Sequence, residues 1–257
     1  MNMKHLTAIV LISFTFMACG GGAATEPDQD TADLSSQEQA EMVAAALSSN
    51  EGGVGDDITT AAQAATGSDR QQNLEREASF GYSVSVTVDF YDQDGNLQLA
   101  YDPHTTDRID YQSLIQGQIT NGTGFFTELS IDNRSDFTME DILSGIAWIN
   151  GTHTNQSSYS RTQPLTRAEV HVQMDSELIL TDVSVDLEAS DTFPESGTIE
   201  GSLSGSCERV APTWQQSSQF NFHFLATFLG DNTAEVELGD GTTFIVHLDT
   251  GTVHDLE

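Results

Sequence analysis

The sequence predicts an all-β domain over residues 79–257, an antiparallel sandwich or barrel built of β-hairpins and meanders behind a partly helical N-terminal tether. Three observations carry this. From Ser79 onward the apolar residues recur at every second position. Clusters of Gly, Asn and Asp separate the apolar runs, giving about eleven or twelve strand candidates. Finally, the stretch from Phe220 alternates so strictly that side-chain parity alone assigns a register.

The elements follow in order. Residues 19–78 read as an acidic tether with short helices. The stretch GGGAATEPDQDTAD has the small, polar, acidic composition of disorder. Ser35 with Glu38 makes a capping box for a helix reaching Leu47, whose Met42, Val43, Ala46 and Leu47 form one weak apolar face. NEGGVGDD interrupts it, and an Ala-rich helix follows over 58–65, with a third candidate over 68–77. Such helices bury little by themselves, so they either dock on the main domain or form a stalk.

In the β region Phe80, Tyr82, Val84, Val86, Val88 and Phe90 share one face of a half-buried strand. Asp92-Gln93-Asp94-Gly95 turns the chain, and a four-residue loop sets Phe90 opposite Leu97 and Val88 opposite Leu99. Ile109, Tyr111, Ile115 and Ile119 face one way, as do Phe125, Leu129 and Ile131. Joining odd positions to odd requires an odd loop, Asn121-Gly122-Thr123. Further candidates lie at 137–149, 153–161, 167–174, 178–187 and 198–207. The likeness of GQITNGTG to AWINGTHT suggests repeated hairpins. At the end, Gly230-Asp231-Asn232 pairs Phe228 with Ala234 and Phe224 with Leu238, while Gly239-Asp240-Gly241 pairs Val236 with Phe244.

Charge excludes whole classes of chemistry. The chain holds 8 Lys+Arg against 40 Asp+Glu, for a formal net charge of −32. Its one lysine is Lys4, so nothing beyond it can form a Schiff base or a phosphate-loop contact through lysine. Nucleic acid, whose affinity comes from Lys and Arg on phosphates, is not an expected partner. The cysteines are Cys19 and Cys207; the second ends a strand-like segment and reads as a buried lone thiol rather than a nucleophile.

The first residues, MNMKHLTAIVLISFTFMACG, join a short basic start at Lys4 and His5 to an apolar run over 6–17. That run has the length of a secretory signal core and is too short to span a bilayer. With Ala18-Cys19 and small residues after it, the segment resembles a bacterial lipoprotein signal, with Phe16 where Leu is usual. The resemblance implies a signal peptide over 1–18, lipidation at Cys19, attachment to the cell envelope through the lipid, and, with Gly20 in place of Asp, delivery to the outer membrane.

Five motifs have competing readings. Asp249-Thr250-Gly251 resembles the aspartic-protease loop, but that chemistry needs a second carboxylate loop, and the sequence holds no second Asp-Thr-Gly or Asp-Ser-Gly. Asp92 and Asp94 form a weak calcium candidate, with Tyr101 where a bidentate Glu should stand. His171, His223 and His247 read as surface-face residues. Asn121, Asn133, Asn150 and Asn155 begin Asn-x-Ser/Thr triplets and read as turn residues. Gly201-Ser202-Leu203-Ser204-Gly205 nearly matches a nucleophile elbow yet lies inside a β run.

The expected function is a lipid-anchored extracytoplasmic β-domain, a surface binding or structural module without catalysis or cofactor, meeting a protein or small-ligand partner. The alternative is a barrel-type carrier of an apolar small ligand, with Phe220, Phe222, Phe224 and Phe228 lining its cavity.

Overall fold

The computed structural model describes residues 34–48, 53–67, 73–78, 82–120, 128–162, 168–189 and 192–255. Two helices, α1 (Ser36–Leu47) and α2 (Val54–Ala65), precede twelve strands. These are β1 (Asn73–Ala78), β2 (Tyr82–Asp92), β3 (Leu97–Gln98), β4 (Thr106–Thr120), β5 (Glu128–Glu140), β6 (Ile146–Thr162), β7 (Glu169–Asp186), β8 (Pro194–Ala211), β9 (Trp214–Gly230), β10 (Thr233–Leu238), β11 (Thr243–His247) and β12 (Thr252–Asp255). All pair antiparallel in one sheet of order β1-β2-β4-β5-β6-β7-β8-β9-β10-β11-β12, with β3 beside β2. The all-β meander behind two helices is therefore as the alternation predicts. It is a single sheet, and it is not closed into a barrel.

What gives this sheet an interior is the helix pair. Val43, Leu47, Val54, Ile58, Ala61 and Ala62 are buried in one apolar cluster with residues from β2 and from every strand β4 to β11. Nine strands at ~4.8 Å spacing laid flat would be about 40 Å wide, far beyond the reach of either short helix. The sheet must curl, with α1 against β10, β11 and β12 and α2 against β4 and β5. The helices thus belong to the domain core and are not a tether. The expected boundary at residue 79 also falls between β1 and its partner β2.

Local chemistry explains how the helices begin. Ser35 caps α1: Glu38 N–H donates to Ser35 Oγ, and Ser35 N–H donates to the Glu38 carboxylate. Helix α2 starts at Val54, four residues before the sequence suggests, because Asp56 and Asp57 favour a helix N-terminus more than Gly53 and Gly55 oppose it. A Cβ at Gly53 would strike the carbonyls of Ala45 and Ala46, so glycine is what lets the chain turn so closely past the end of α1. The third helix candidate is corrected: 73–78 is strand β1, and 68–72 lie outside the described residues.

The C-terminal meander has the expected register, with Phe228 opposite Ala234, Phe224 opposite Leu238 and Val236 opposite Phe244. Other expectations are corrected. Tyr91, not Phe90, lies opposite Leu97, and β3 ends after two residues, leaving Leu99 95% exposed. The partner along β2 is instead β4, with Phe90 opposite Ile109. Between β4 and β5 the parity is right but the loop is longer: Thr120 pairs with Glu128, and 121–127 lie outside the described residues. The run 137–149 is broken by a 3-10 turn, Ile142–Ser144, entered through Asp141 at φ 62 and left through Gly145 at φ 84. Candidates 167–174 and 178–187 fuse into β7.

Asn150-Gly151 closes no hairpin. It lies inside β6, where the register shifts between Ile149 and Gly151. Gly151 has φ 155, and a Cβ there would meet the Asp136 carbonyl, so the pair forms a bulge. Asn133 and Asn155 are likewise mid-strand rather than in turns, facing one another across β5 and β6. Asn121 lies outside the described residues.

Candidate functional site

Alternation along β4, β5 and β6 sends Tyr111, Ser113, Ser135 and His153 inward, toward the first turn of α2. There Asp57, itself buried, takes Ser113 Oγ–H on Oδ1 at 3.0 Å and Ser135 Oγ–H on Oδ2 at 2.7 Å. Tyr111 OH lies 3.4 Å from Oδ1. His153 Nδ1 is 3.3 Å from Asp57 Oδ2 and 2.9 Å from Ser135 Oγ, with the ring only 2% exposed. Burial, and then the Asp57 charge, push the Tyr111 hydroxyl well above its usual range. Next to Asp57, burial and the neighbouring carboxylate raise Asp56 to about 6.

Serine, histidine and aspartate lie together here, but in the wrong order for nucleophilic catalysis. A triad needs the serine to hand its proton to one imidazole nitrogen while the carboxylate holds the other. Here the Ser135 proton points to Asp57, and the same nitrogen, Nδ1, faces both Ser135 and Asp57. The cluster is a buried clamp that fixes the start of α2 to three strands. Neither end of it is apparent in the sequence: Asp57 sits in the acidic run taken for a helix breaker. His153 carries no local mark of a partner, although its parity matches the inward Tyr159.

Beyond the clamp, toward the β8–β9 turn, the inward face changes character. Asn133, Asn155, Ser176, Leu203 and Phe222 follow one another across β5 to β9, and Ile131, Ser157, Met174, Gly205 and Phe220 form the next row. Asn133 Oδ1, Asn155 Oδ1 and Ser157 Oγ are buried without a hydrogen-bond partner among the described residues. Ile115, Leu129, Ile131 and Tyr159 stand outside the cluster that holds the helices. This half of the trough presents amide and hydroxyl groups on one side and aromatic rings on the other.

The four expected ligand-binding phenylalanines divide. Phe224 and Phe228 are buried in the core with the helices, which corrects their assignment to a cavity wall. Phe220 and Phe222 are half-buried, their ring centroids 6.3 Å apart. Gly205 and Gly201 face Phe220 and Phe224 across β8 and β9, and a Cβ at either glycine would fall on the ring opposite it. The near match to a nucleophile elbow is thus the seat of two phenylalanines.

The remaining candidates are turn and surface residues. Asp92 Oδ1 accepts the N–H groups of Asp94 and Asn96, and Asn96 Nδ2 donates to its carboxylate, which holds Asp92 below the usual carboxylate range. Asp94 is exposed beside it. Among the described residues no group of three or more His, Cys, Asp or Glu could hold a metal ion. Asp249-Thr250-Gly251 turns the chain from β11 into β12, with Gly251 at φ 66 and its N–H on the His247 carbonyl. His171 and His223 are exposed, and His247 lies edge-on to His254. Cys207 is buried, as expected, but is disulfide-bonded rather than a lone thiol. Cys19, the only other cysteine of the sequence, lies outside the described residues with the whole of 1–33. Among the described residues no helix is long and apolar enough to cross a membrane. Set against protein-family models, curated proteins and solved structures, the chain matches none.

Proposed function

We propose that the chain is a non-catalytic binding module, lipid-anchored through Cys19 in the bacterial envelope, with its ligand or partner taken by the half of the sheet that the helices do not line. The observation carrying this is the second half of the trough. Among the described residues the buried acceptors on Asn133 and Asn155 lack partners, and they share a cross-strand row with Phe222, next to the row that holds Phe220. Unpaired buried acceptors cost free energy in a purely structural part, and a bound donor would satisfy them. The absence of catalysis is supported by the order of the Asp57 clamp, where the serine proton is committed to a carboxylate.

The anchor is tested by mass and by fractionation. Acylation of the Cys19 sulfur and a disulfide from that sulfur to Cys207 exclude one another, so the acylated chain, cut before Cys19, and the disulfide form, which keeps residues 1–18, differ in mass by both the acyl chains and the signal peptide. Expected is a mature chain beginning at an acylated Cys19 that partitions with membranes, and a Cys19→Ser form that remains unprocessed. Equal release of both forms into the soluble fraction would overturn the anchor.

A further inference from the structure

An open sheet leaves strand edges, and this molecule treats its edges unequally. Strand β1 carries Glu75, Arg76 and Glu77 in its middle, β12 has four residues and β3 has two. Charge and shortness are the usual ways an edge is kept from pairing with another chain. The fourth edge has neither. Strand β10 reaches only Phe224 to Gly230 of β9, so on that side no described strand pairs with Gln215 to His223. This segment, QQSSQFNFH, has no proline, and no Asp, Glu, Lys or Arg occurs anywhere from Val210 to Gly230. Its pairing to β8 runs without a register shift, so no bulge turns the edge away.

The hydrogen-bonding groups of this edge can be assigned. Gly239 N–H donates to the His223 carbonyl at 3.0 Å, so His223 points its backbone groups to the β10 side. The two-residue period then puts the N–H and C=O of Gln215, Ser217, Gln219 and Asn221 on the same open side. The side chains of these four are exposed outward, while Phe220 and Phe222 between them are half-buried on the inward face. A strand laid beside β9, collinear with β10, would meet a ready ladder of backbone groups and cover both rings.

We propose that the Gln215–His223 edge of β9 is a strand-addition site for an extended basic polypeptide segment, whose alternate apolar side chains close over Phe220 and Phe222. The basic character follows from charge complementarity. The incoming strand would have Glu237 and Asp240 at its β10 end; β8, beyond β9, adds Glu208, which accepts from Gln215 Nε2, and one opposing charge, Arg209, on a chain of net charge −32. A second copy would bring the same charge and is the less favoured occupant. The site rests on the reading of the chain as a binding module and not on its lipid anchor.

The test uses the mature full-length chain and labelled peptides of about ten residues, matched to the free edge. One alternates valine with arginine, the second replaces arginine by glutamate, and the third has proline at its central valine. Expected is binding of the first peptide, with hydrogen-exchange protection of the amides of Gln215, Ser217, Gln219 and Asn221, and at least ~10-fold weaker binding of the other two. The outward pair Ser217→Lys/Gln219→Lys leaves the inward packing untouched and should reverse the preference toward the glutamate peptide. Three results would overturn the proposal. One is equal binding of the proline peptide, which marks adsorption to an acidic surface. The second is peptide binding without protection of those amides. The third is a dimer dissolved by the lysine pair in a chain that binds none of the peptides, which assigns the edge to a second copy. Loss of membrane attachment in Cys19→Ser would leave the site standing, so failure of the anchor and failure of the site are separable.

Discussion

The two halves of the trough use the same strands for opposite ends. Along β4, β5 and β6 the residues nearest the helices are Ile109, Tyr111, Phe137, Met139, Ala147 and Ile149, all buried in the common core. A few positions further along the same strands stand Asn133, Asn155 and Ser157 with unpartnered atoms. The first half is where the sheet gets its cohesion, and the second is where buried polar atoms go unpaired among the described residues. A long strand allows this because alternation fixes which face a residue points to but not what meets it there. The helices decide that: beyond the Asp57 clamp Leu203 still belongs to their cluster and Met174, Phe220 and Phe222 pack against it, while Ile131 and Tyr159 stand outside.

Removing the helices should therefore have the largest effect. A chain beginning at residue 79 is expected to lose cooperative unfolding, monitored by denaturant titration with near-UV circular dichroism. A retained sharp transition would mean that the sheet packs on itself. Ile58→Ala within α2 is the graded version: Ile58 is fully buried, and the change should cost about 2–5 kcal/mol.

The second comparison lies within one strand. Phe224 is 3% exposed in the helix-lined half, so Phe224→Ala should cost about 3–5 kcal/mol. Phe222, two residues away and half-buried, should cost only about 1–2 kcal/mol, in proportion to the apolar area it removes from water. Equal losses in urea unfolding would show that the open half is packed as tightly as the closed one. A loss of peptide binding confined to Phe222→Ala would sharpen the division.

How much of this was legible varies with the kind of signal. The C-terminal registers could be read because Gly-rich turns of known parity join short, strictly alternating strands, so a slip would have turned Phe228 or Val236 outward. The Asp92 turn defeated the same reasoning, since an Asx loop closed by Asn96 changes the residue count without changing the pattern. The docking of the helices was hidden for a different reason. A surface helix shows its buried side as an apolar stripe, but Ala40, Ala44, Ala61, Ala62 and Ala65 are buried by being small and surrounded. Whether the sheet closes is a matter of accumulated curl, to which no single residue testifies. The clamp joins Asp57 to His153 across nearly a hundred positions, and neither carries a local mark of the other.

The Asp57 clamp gives the third prediction. Asp57→Ala removes the acceptor of Ser113 and Ser135 and the partner of His153, leaving buried donors unpaired. Each such group costs about 1–3 kcal/mol, and relaxation recovers part, so a loss of about 3 kcal/mol is expected. Amide exchange should rise first in α2, because the clamp ties that helix to β4, β5 and β6. Uniform destabilisation with unchanged relative protection would mean that α2 is held by apolar packing alone.

The last effect is the one whose sign runs against habit. Asp56 adjoins the clamp residue, is partly buried and has its carboxyl raised to about 6, mainly by burial and then by the Asp57 charge. Unfolded, it would titrate near its ordinary value of 3.8. A group raised on folding favours the folded state while protonated, so its contribution is full below about pH 4 and lost as pH climbs through about 6. The interval corresponds to roughly 3 kcal/mol as an upper bound, and partial hydration should bring it nearer 2. Asp56→Asn cannot ionise, so it should be more stable than the wild type at pH 7, and the difference should shrink toward pH 4. Chemical denaturation of the two proteins at several pH values between 4 and 8 measures this directly. A difference that is constant with pH would show that Asp56 is hydrated, and that the first turn of α2 stands open to water beside a clamp that is closed.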